Sequence, residues 1–472
     1  MSLSQPPITA EQIAALPPEL QSLLRAVIDH YERRIAALEA EVAALKKTPR
    51  NSSLPPSTEH PHAKPPRDKK GSKKKPGGQP GHPKHERRLI PTEQCQAVVV
   101  LKPETCRRCG EALIGSDPEP LRHQVWEIPE IKPEVTEYQR HRLPCLCCRT
   151  STCAELPPGV PHSQAGPRLV ALTALLMGCF RQSKRRVALF LDYVLNQPCS
   201  PGWVVKLQQQ ATAAMTPAYD ELVQCLPAEP VLGIDESPTK EGKSKAWLWT
   251  FVAATYTVFA LRTTRAATIL EDLLTEAFDG VVNCDRAKMY WKRGKLQWCW
   301  AHLKRDFQAL IDHPDGQVKR LGHDLMRCTK QLFRHWSRCR DGTITYVGMQ
   351  RLMRPIRQEV ERLLLRGRFS GNPELVGMCR ELLAHREWLW TFLEVEGVEP
   401  TNNVSERALR HAVIWRKLSF GTKSAQGSRF VATILTVVET CRQQKRNVFE
   451  HLTTAMEAHF ANQPGPSLLP RA

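Results

Sequence analysis

The stretch TNNVSERALRHAVIWRKLSFG, residues 401–421, sets one carboxylate, Glu406, among four cations: Arg407, Arg410, Arg416 and Lys417. Asn402 or Asn403 can cap a helix there, which places Glu406 in its first turn or two. Alone this says little, because a glutamate on a helix is usually a solvated surface residue. Two aspartates upstream change its weight. Asp235 closes the apolar run PVLGID and Asp285 closes GVVNCD, so each is expected at the end of a strand. A carboxylate buried there without a partner is costly, so it needs solvent, a donor or a metal. If the two strands are neighbours and a helix packs on their sheet, three hard oxygen ligands converge. Such a set suits Mg2+ or Mn2+. Two ions about 4 Å apart can activate an attacking water or hydroxyl and stabilise a leaving oxygen at phosphorus. Glu236 alternates to the other strand face and is set aside as a decoy, as are Asp279 and Asp306. His302 is within reach of such a site, but a packed or hydrogen-bonded ring is the expectation for it.

A second chemistry is written in cysteine. Cys106-Arg-Arg-Cys109-Gly110 and Cys145-Leu-Cys-Cys148 are two Cys-x-x-Cys pairs with 35 residues between them. In an intracellular chain this spacing points to one closed, structural Zn2+ held by Cys106, Cys109, Cys145 and Cys148. Cys147 is a spare thiol, and Cys95 and Cys153 lie near. The intervening VWEIPEIKPEVTEYQRHRL reads as strand, turn, strand.

The elements that must position these groups follow from periodicity. Leu24, Ile28, Tyr31, Ile35, Leu38, Val42 and Leu45 fall on a heptad seam, so residues 1–47 are expected to hold a dimerising coiled coil. Residues 48–91 are a basic linker poor in large apolar residues and expected to be disordered when free. From Lys46 to Arg88 there are thirteen Lys/Arg against three Asp/Glu, a local +10 that can lie along phosphates through Lys73, Lys74 and Lys75. Residues 92–158 make the zinc module. Residues 159–227 are helical, and Ser200-Pro201 opens a helix that can present Trp203, Lys206, Gln208, Gln209 and Gln210 to a DNA groove as the second half of a helix-turn-helix. Residues 228–423 run strand, strand, strand, helix, strand, then further helix and strand. That order fits a ribonuclease-H-like mixed sheet flanked by helices, interrupted by a helical insertion at 317–400. A C-terminal helix and tail, 424–472, complete a multidomain α+β chain.

Composition bounds the partners. A formal net charge of +19 over 472 residues favours a polyanion, nucleic acid or an anionic surface. No run of 18 apolar residues and no secretory signal is found, so a soluble, intracellular chain with no membrane role is expected. In a reducing cytosol the sixteen cysteines are expected to bind metal or to be buried rather than to form disulfides.

Taken together, TNNVSERALRHAVIWRKLSFGTKSAQGSRF, CWAHLKRDFQAL, KKPGGQPGH and the Cys-x-x-Cys pairs resemble the transposases of the insertion sequence 66 family over nearly the whole chain. The resemblance implies an acidic-triad (DDE) transposase: Asp235 in GIDES, Asp285 in NCDRAKMY and Glu406 in NNVSER are the catalytic ligands of two Mg2+ or Mn2+ ions. It implies double-stranded DNA, both element ends and target, as substrate. It also implies a homodimer or higher assembly in the bacterial cytoplasm, associated with the nucleoid when on DNA, and admits accessory proteins of the same element. Ser237, Ser405 and Arg149 depart from the family's usual Thr, Ala and Gly. Two other readings stay open: a zinc-containing DNA-binding regulator or decayed transposase without activity, and a ribonuclease-H-like structure-specific nuclease that cuts without joining.

Overall fold

In the computed structural model, residues 15–45, 51 and 88–470 are described. The basic tract with Lys73, Lys74 and Lys75 lies outside them. The N-terminal helix α1 spans Pro18–Leu45. Of the expected seam, Tyr31 is 61% exposed and Ile35 and Leu38 are also exposed, while Leu24 and Ile28 are half-buried; Leu23 and Val27 beside the seam are exposed too. A monomer leaves this stripe in water.

Residues 88–160 carry little regular structure. Two short strands, β1 (Arg142–Pro144) and β2 (Ser151–Cys153), pair antiparallel. The strand pair expected across 125–143 is not formed; only its last two residues, Arg142 and Leu143, join a strand, β1, and that pairs with β2. Val125, Ile128 and Val135 stay exposed there, so alternation of apolar residues found no second layer to bury against.

Three helices follow: α2 (Pro167–Gly178), α3 (Lys184–Leu195) and α4 (Pro201–Cys225). Ser183 caps α3, and Ser200 caps α4 through the Trp203 N–H, with Pro201 at the first helical position. Along α4, Val204, Leu207, Ala211, Met215 and Leu222 recur at helical spacing and enter the core. Gln208 is buried among them, which removes it from the groove-facing set expected of this helix. Lys206 remains exposed.

The chain then builds a five-stranded mixed sheet: β3 (Val231–Glu241), β4 (Ser244–Val252), β5 (Thr257–Arg262), β6 (Val281–Cys284) and β7 (Leu296–Trp298). The order is β5-β4-β3-β6-β7. The first three strands form an antiparallel meander, while β6 and β7 join parallel to β3. Between β5 and β6 runs α5 (Thr268–Leu274). Asp235 is not at a strand end as expected: β3 continues through it to Glu241, because Ser237–Glu241 pair with Ser244–Leu248 across a tight hairpin. LQWCWAH likewise contributes only three residues of strand before α6 (Trp300–Asp312) begins.

A helical block follows as α7 (Gly316–Arg340), α8 (Tyr346–Arg368) and α9 (Pro373–Ala384), and two short 3-10 turns lead back to the sheet. The block closes the β7 edge: Phe392 N–H donates to Gln297 Oε1 at 2.8 Å, and the Trp300 indole donates to the Leu389 carbonyl at 2.7 Å. Helix α10 (Asn403–Ser419) crosses β3 and β4. The last helices are α11 (Ala425–Gln443) and α12 (Val448–Phe460). The opposite edge, β5, is closed by α11, whose Thr436 and Thr440 hydroxyls accept from Phe259 N–H (2.9 Å) and Thr257 N–H (3.1 Å). The outward N–H groups of Thr257 and Phe259 thus find acceptors on α11, and the helical block covers β7, so neither edge is left as an open strand. No helix among the described residues is long and apolar enough to cross a membrane.

Candidate acidic site

Parallel pairing sets two of the three carboxylates. Gly233 on β3 is the register partner of Asn283 on β6, and two residues further along each chain stand Asp235 and Asp285. Asp285 follows directly on the end of β6, and its Oδ1 accepts from Ala287 N–H at 2.8 Å. Asp235 Oδ1 accepts from the Glu236 N–H at 2.9 Å.

The third carboxylate arrives on α10, and the stitching of that helix start explains how. Asn402 is the N-cap position, yet its side chain does not cap. Its Nδ2 instead donates to the Ile234 carbonyl on β3 at 2.7 Å, and its N–H donates to Cys299 Sγ at 3.2 Å. Asn283 Nδ2 donates to the Glu399 and Thr401 carbonyls, at 2.7 and 3.1 Å, and Trp300 N–H donates to Pro400 O at 2.9 Å. Residues 399–402 are therefore tied to β3, to β6 and to the start of α6 at once. Gly233 lets this happen: a Cβ there would overlap the Ser405 hydroxyl and sit 3.1 Å from Asn402 Oδ1. Glu406, one residue on, lies in the first turn of α10, where exposed amides favour a carboxylate.

The electrostatics follow from this crowding. Asp235 is pushed well above the usual carboxylate range, first by burial and then by the negative charges of Glu236, Asp285 and Glu406. Glu406 is opposed by burial too, but its bond to His302 and the nearby Arg305 and Arg410 outweigh it and hold its pKa below the ordinary value. His302 Nε2 lies 3.0 Å from Glu406 Oε1. Among the described residues, Cys299, His302 and Glu406 form a group whose ligand atoms all lie within 4.8 Å of one another; Asp235, Asp285 and Glu406 form no group so tightly drawn. Burial pushes the Cys299 thiol up to about 11.

Glu236 differs from the bland surface residue that strand alternation suggests. Its side chain is 3% exposed, and Arg265 holds it with Nη2 at 2.5 Å and Nε at 2.8 Å while the Tyr290 hydroxyl donates to its other oxygen. Asp306 is likewise committed, bridged at 2.9 Å to Arg286, which also reaches Glu381 at 3.1 Å. Asp279 pairs with Lys295 at the surface.

Of the expected DNA-contacting cations, Lys206, Arg407, Arg410 and Lys417 are exposed. Arg416 is different: its Nη1 donates to Ser237 Oγ (3.2 Å) and to the Pro238 carbonyl, fastening α10 to β3.

The cysteine pairs form two matching turns. Cys106 N–H donates to Glu111 O and Gly110 N–H to Cys106 O; Cys145 N–H donates to Thr150 O and Arg149 N–H to Cys145 O. Gly110 and Arg149 occupy the same left-handed position, at φ 78° and 58°. Hydrogen bonds from the turn lower one thiol of each pair, Cys106 through the N–H groups of Arg108 and Cys109, and Cys148, to about 7, through Thr150 and then Cys145. No three of the Cys106, Cys109, Cys145 and Cys148 sulfurs lie within 4.8 Å of one another.

Gly233, Asn283 and Cys299 were not singled out from sequence, and Asn402 was read only as a possible helix cap. Each has an ordinary local explanation, and only the tertiary contacts reveal its part.

Residues 162–429, more than half of the chain, match the model described as Transposase IS66 family, and the chain belongs to that family. Residues 4–88 match a second model, a family of unknown function. Two proteins of Sinorhizobium fredii are similar. The uncharacterized protein y4hP is 24% identical over 444 residues, 86% of this chain and 76% of that protein. The uncharacterized protein y4qI is 26% identical over 238 residues, 44% of this chain and 42% of that protein, so the match spans less than half of the relative's length.

Proposed function

We propose that this chain is a DNA transposase that binds the inverted-repeat ends of its own element and cuts and joins DNA at Asp235, Asp285 and Glu406, within a ribonuclease-H-like core. The observation that carries the reading is the charge crowding at Asp235: a half-buried carboxylate with three acidic neighbours and, among the described residues, no ion-paired cation. Such a cluster is unfavourable unless a counter-charge joins it, and hard oxygen donors fit Mg2+ or Mn2+. Asp235, Asp285 and Glu406 would hold two such ions. When bound, the ions supply Lewis-acid polarisation and neutralise charge gathering on the phosphate.

The chain's own residues do the rest. The N–H groups of Glu236 and Ala287 fix one oxygen each of Asp235 and Asp285, leaving the other for a ligand. His302 steadies Glu406 and keeps it ionised. Arg407 and Arg410, exposed beside Glu406 on α10, would meet the phosphates flanking the reacting bond.

Around this core we infer the division of labour read from sequence: a coiled coil in 1–47, a basic arm in 48–91, a zinc module in 92–158, a helical DNA-contacting region in 159–227, the catalytic domain in 228–423 with its insertion at 317–400, and a C-terminal helix and tail in 424–472. The zinc reading is supported by two equivalent turns, each with one lowered thiol, in a segment whose valines and isoleucines are largely exposed. A module without an apolar core draws its stability from metal. Four thiolates from the two turns would close around one structural Zn2+.

The test is joining by the full-length protein of a DNA fragment carrying the gene's own flanking sequence to a second duplex, with and without Mg2+ or Mn2+. The wild type is expected to cut and join only with the ion. Glu406→Gln keeps shape but removes a ligand charge, and should lower both steps by on the order of 10³-fold or more while leaving DNA binding near wild type. Cutting without joining would favour a nuclease, and neither step a regulator; near-normal joining by Glu406→Gln would overturn the site assignment.

A further inference from the structure

Resting on the DNA-processing reading above, we propose that the C-terminal end of α10 and the β3–β4 hairpin form a pocket for an unpaired nucleobase of the DNA strand, a short distance from the acidic cluster. A groove of about 470 Å³ opens there, lined among others by Lys240, Lys245, Trp247, Arg416, Lys417 and Phe420. Its volume suits a base with part of its sugar, in the range of ordinary small-ligand sites. Its chemistry is that of single-strand recognition: aromatic rings on which a base of any identity can stack, bordered by cations for the flanking phosphates.

The groove is a built feature of the fold. Phe420 is 84% exposed although it is large and apolar, and it takes the left-handed conformation (φ 59°) that a phenylalanine rarely adopts. Its backbone is fixed on both sides. Phe420 N–H bonds Arg416 O, while Thr422 N–H donates to Lys240 O and Gly242 N–H to Thr422 O, at 2.9 and 2.8 Å. Gly421, at φ 99°, permits that approach, since a Cβ there would overlap the Lys240 carbonyl. The loop is thus laced to the hairpin in a way that holds an aromatic ring out in solvent. On the other side Trp247, cross-strand partner of Pro238, is half-buried, with the Arg265 guanidinium 5.1 Å from its ring centroid. Lys240, Lys245 and Lys417 are exposed at the rim, and Arg416, tied to Pro238 and Ser237, forms part of the wall.

Geometry links this pocket to the carboxylates. Ten residues of α10 separate Glu406 from Arg416, about 15 Å at helical rise. A stacked strand advances about 3.4 Å per phosphate, so a strand whose scissile phosphate lies at the acidic cluster reaches the pocket about four nucleotides away. A duplex end cannot offer a base there without opening, so the occupant is a base freed by fraying or strand separation next to the cut.

The test compares full-length protein on three probes of one arbitrary sequence at fixed salt: a blunt duplex, the same duplex with a single-stranded extension, and the single strand alone. Phe420→Ala, at an exposed position, should weaken binding to the extended and single-stranded probes about tenfold, the range of one lost base–aromatic stack, and leave the blunt duplex within twofold. Trp247→Phe should keep most of the preference and Trp247→Ala lose it, with a melting curve confirming that each variant is folded. A 2-aminopurine placed about four nucleotides from the duplex junction should be quenched by the wild type and not by Phe420→Ala. Equal affinity of wild type and Phe420→Ala for every probe overturns the pocket while leaving the transposase reading intact. Equal loss on blunt and extended probes also overturns it, as a backbone contact would do that. Failure of the wild type to bind any probe sinks the underlying DNA reading instead.

Discussion

At the residue scale, Asp235 is where the proposed function and stability oppose each other. Its folded-state pKa is raised, by burial first and then by three neighbouring carboxylates, so the metal-free folded chain binds its proton more tightly than the unfolded chain does. The sign follows: its contribution favours the fold at low pH and is lost as pH rises from the ordinary aspartate value through the raised one. Replacing it with asparagine removes the repulsion. Asp235→Asn is therefore expected to melt higher than wild type in chelator at neutral pH, with the gap closing toward pH 4, and to be inactive in joining. Thermal melts of both proteins across that range, with and without Mg2+, check this; a lower melting temperature for the variant at neutral pH would contradict the charge-crowding account. Glu236, by contrast, is a buried anion with two dedicated partners, so its loss would strand Arg265 and Tyr290 and cost stability on the order of 1–3 kcal/mol.

At the element scale, the site depends on how closely α10 presses on β3. Gly233→Ala adds one methyl where the buried Ser405 hydroxyl already lies and 3.1 Å from the Oδ1 of Asn402, whose amide is held by the Ile234 carbonyl. The expected result is a destabilisation of about 1–3 kcal/mol and a loss of joining larger than that figure alone explains, because Glu406 moves with the helix. Denaturant melts and joining assays on the same preparation separate the two; full activity in a destabilised protein would show that the helix start tolerates displacement. The sheet, the two aspartates and the helix bearing Glu406 were legible in sequence, because an acid closing an apolar run and an acid behind a polar cap are local patterns. The tie of Asn402 to Ile234 and that of Asn283 to Glu399 were not, since a side chain that leaves its own helix to bond a distant strand carries no periodic signature. The extra length of β3 beyond Asp235 was missed for a related reason: Pro238 and Lys240 are exposed, and their pairing is set by the hairpin rather than by apolar alternation. The strand pair expected across residues 125–143 failed the other way, with apolar residues present but no layer to receive them.

At the scale of the whole molecule, the uncovered stripe of α1 and the paired cysteine turns concern assembly and metal content together. Leu23, Val27, Tyr31, Ile35 and Leu38 leave an apolar face in water that a second copy of the same helix would cover. Native mass spectrometry of the full chain is expected to give a dimer carrying one zinc per protomer. Leu38→Glu should shift the population to monomer while keeping one zinc each, because the helix and the cysteine turns are separate elements. A wild-type monomer would remove the coiled-coil proposal, and a zinc-free dimer the zinc proposal.

The segment 399–402 carries one more implication, for the time at which the protein becomes competent during its synthesis. It bonds back to β3, β6 and the head of α6, and it comes only after the entire helical block has been made. A nascent chain that already contains both aspartates still lacks the helix that brings the third carboxylate, and it lacks the ties that seat that helix. If the acidic cluster is the catalytic centre, a ribosome that stalls anywhere within the helical block releases a chain that cannot cut. Interrupted translation then yields inert fragments rather than loose nucleases, a safeguard for the chromosome that encodes them.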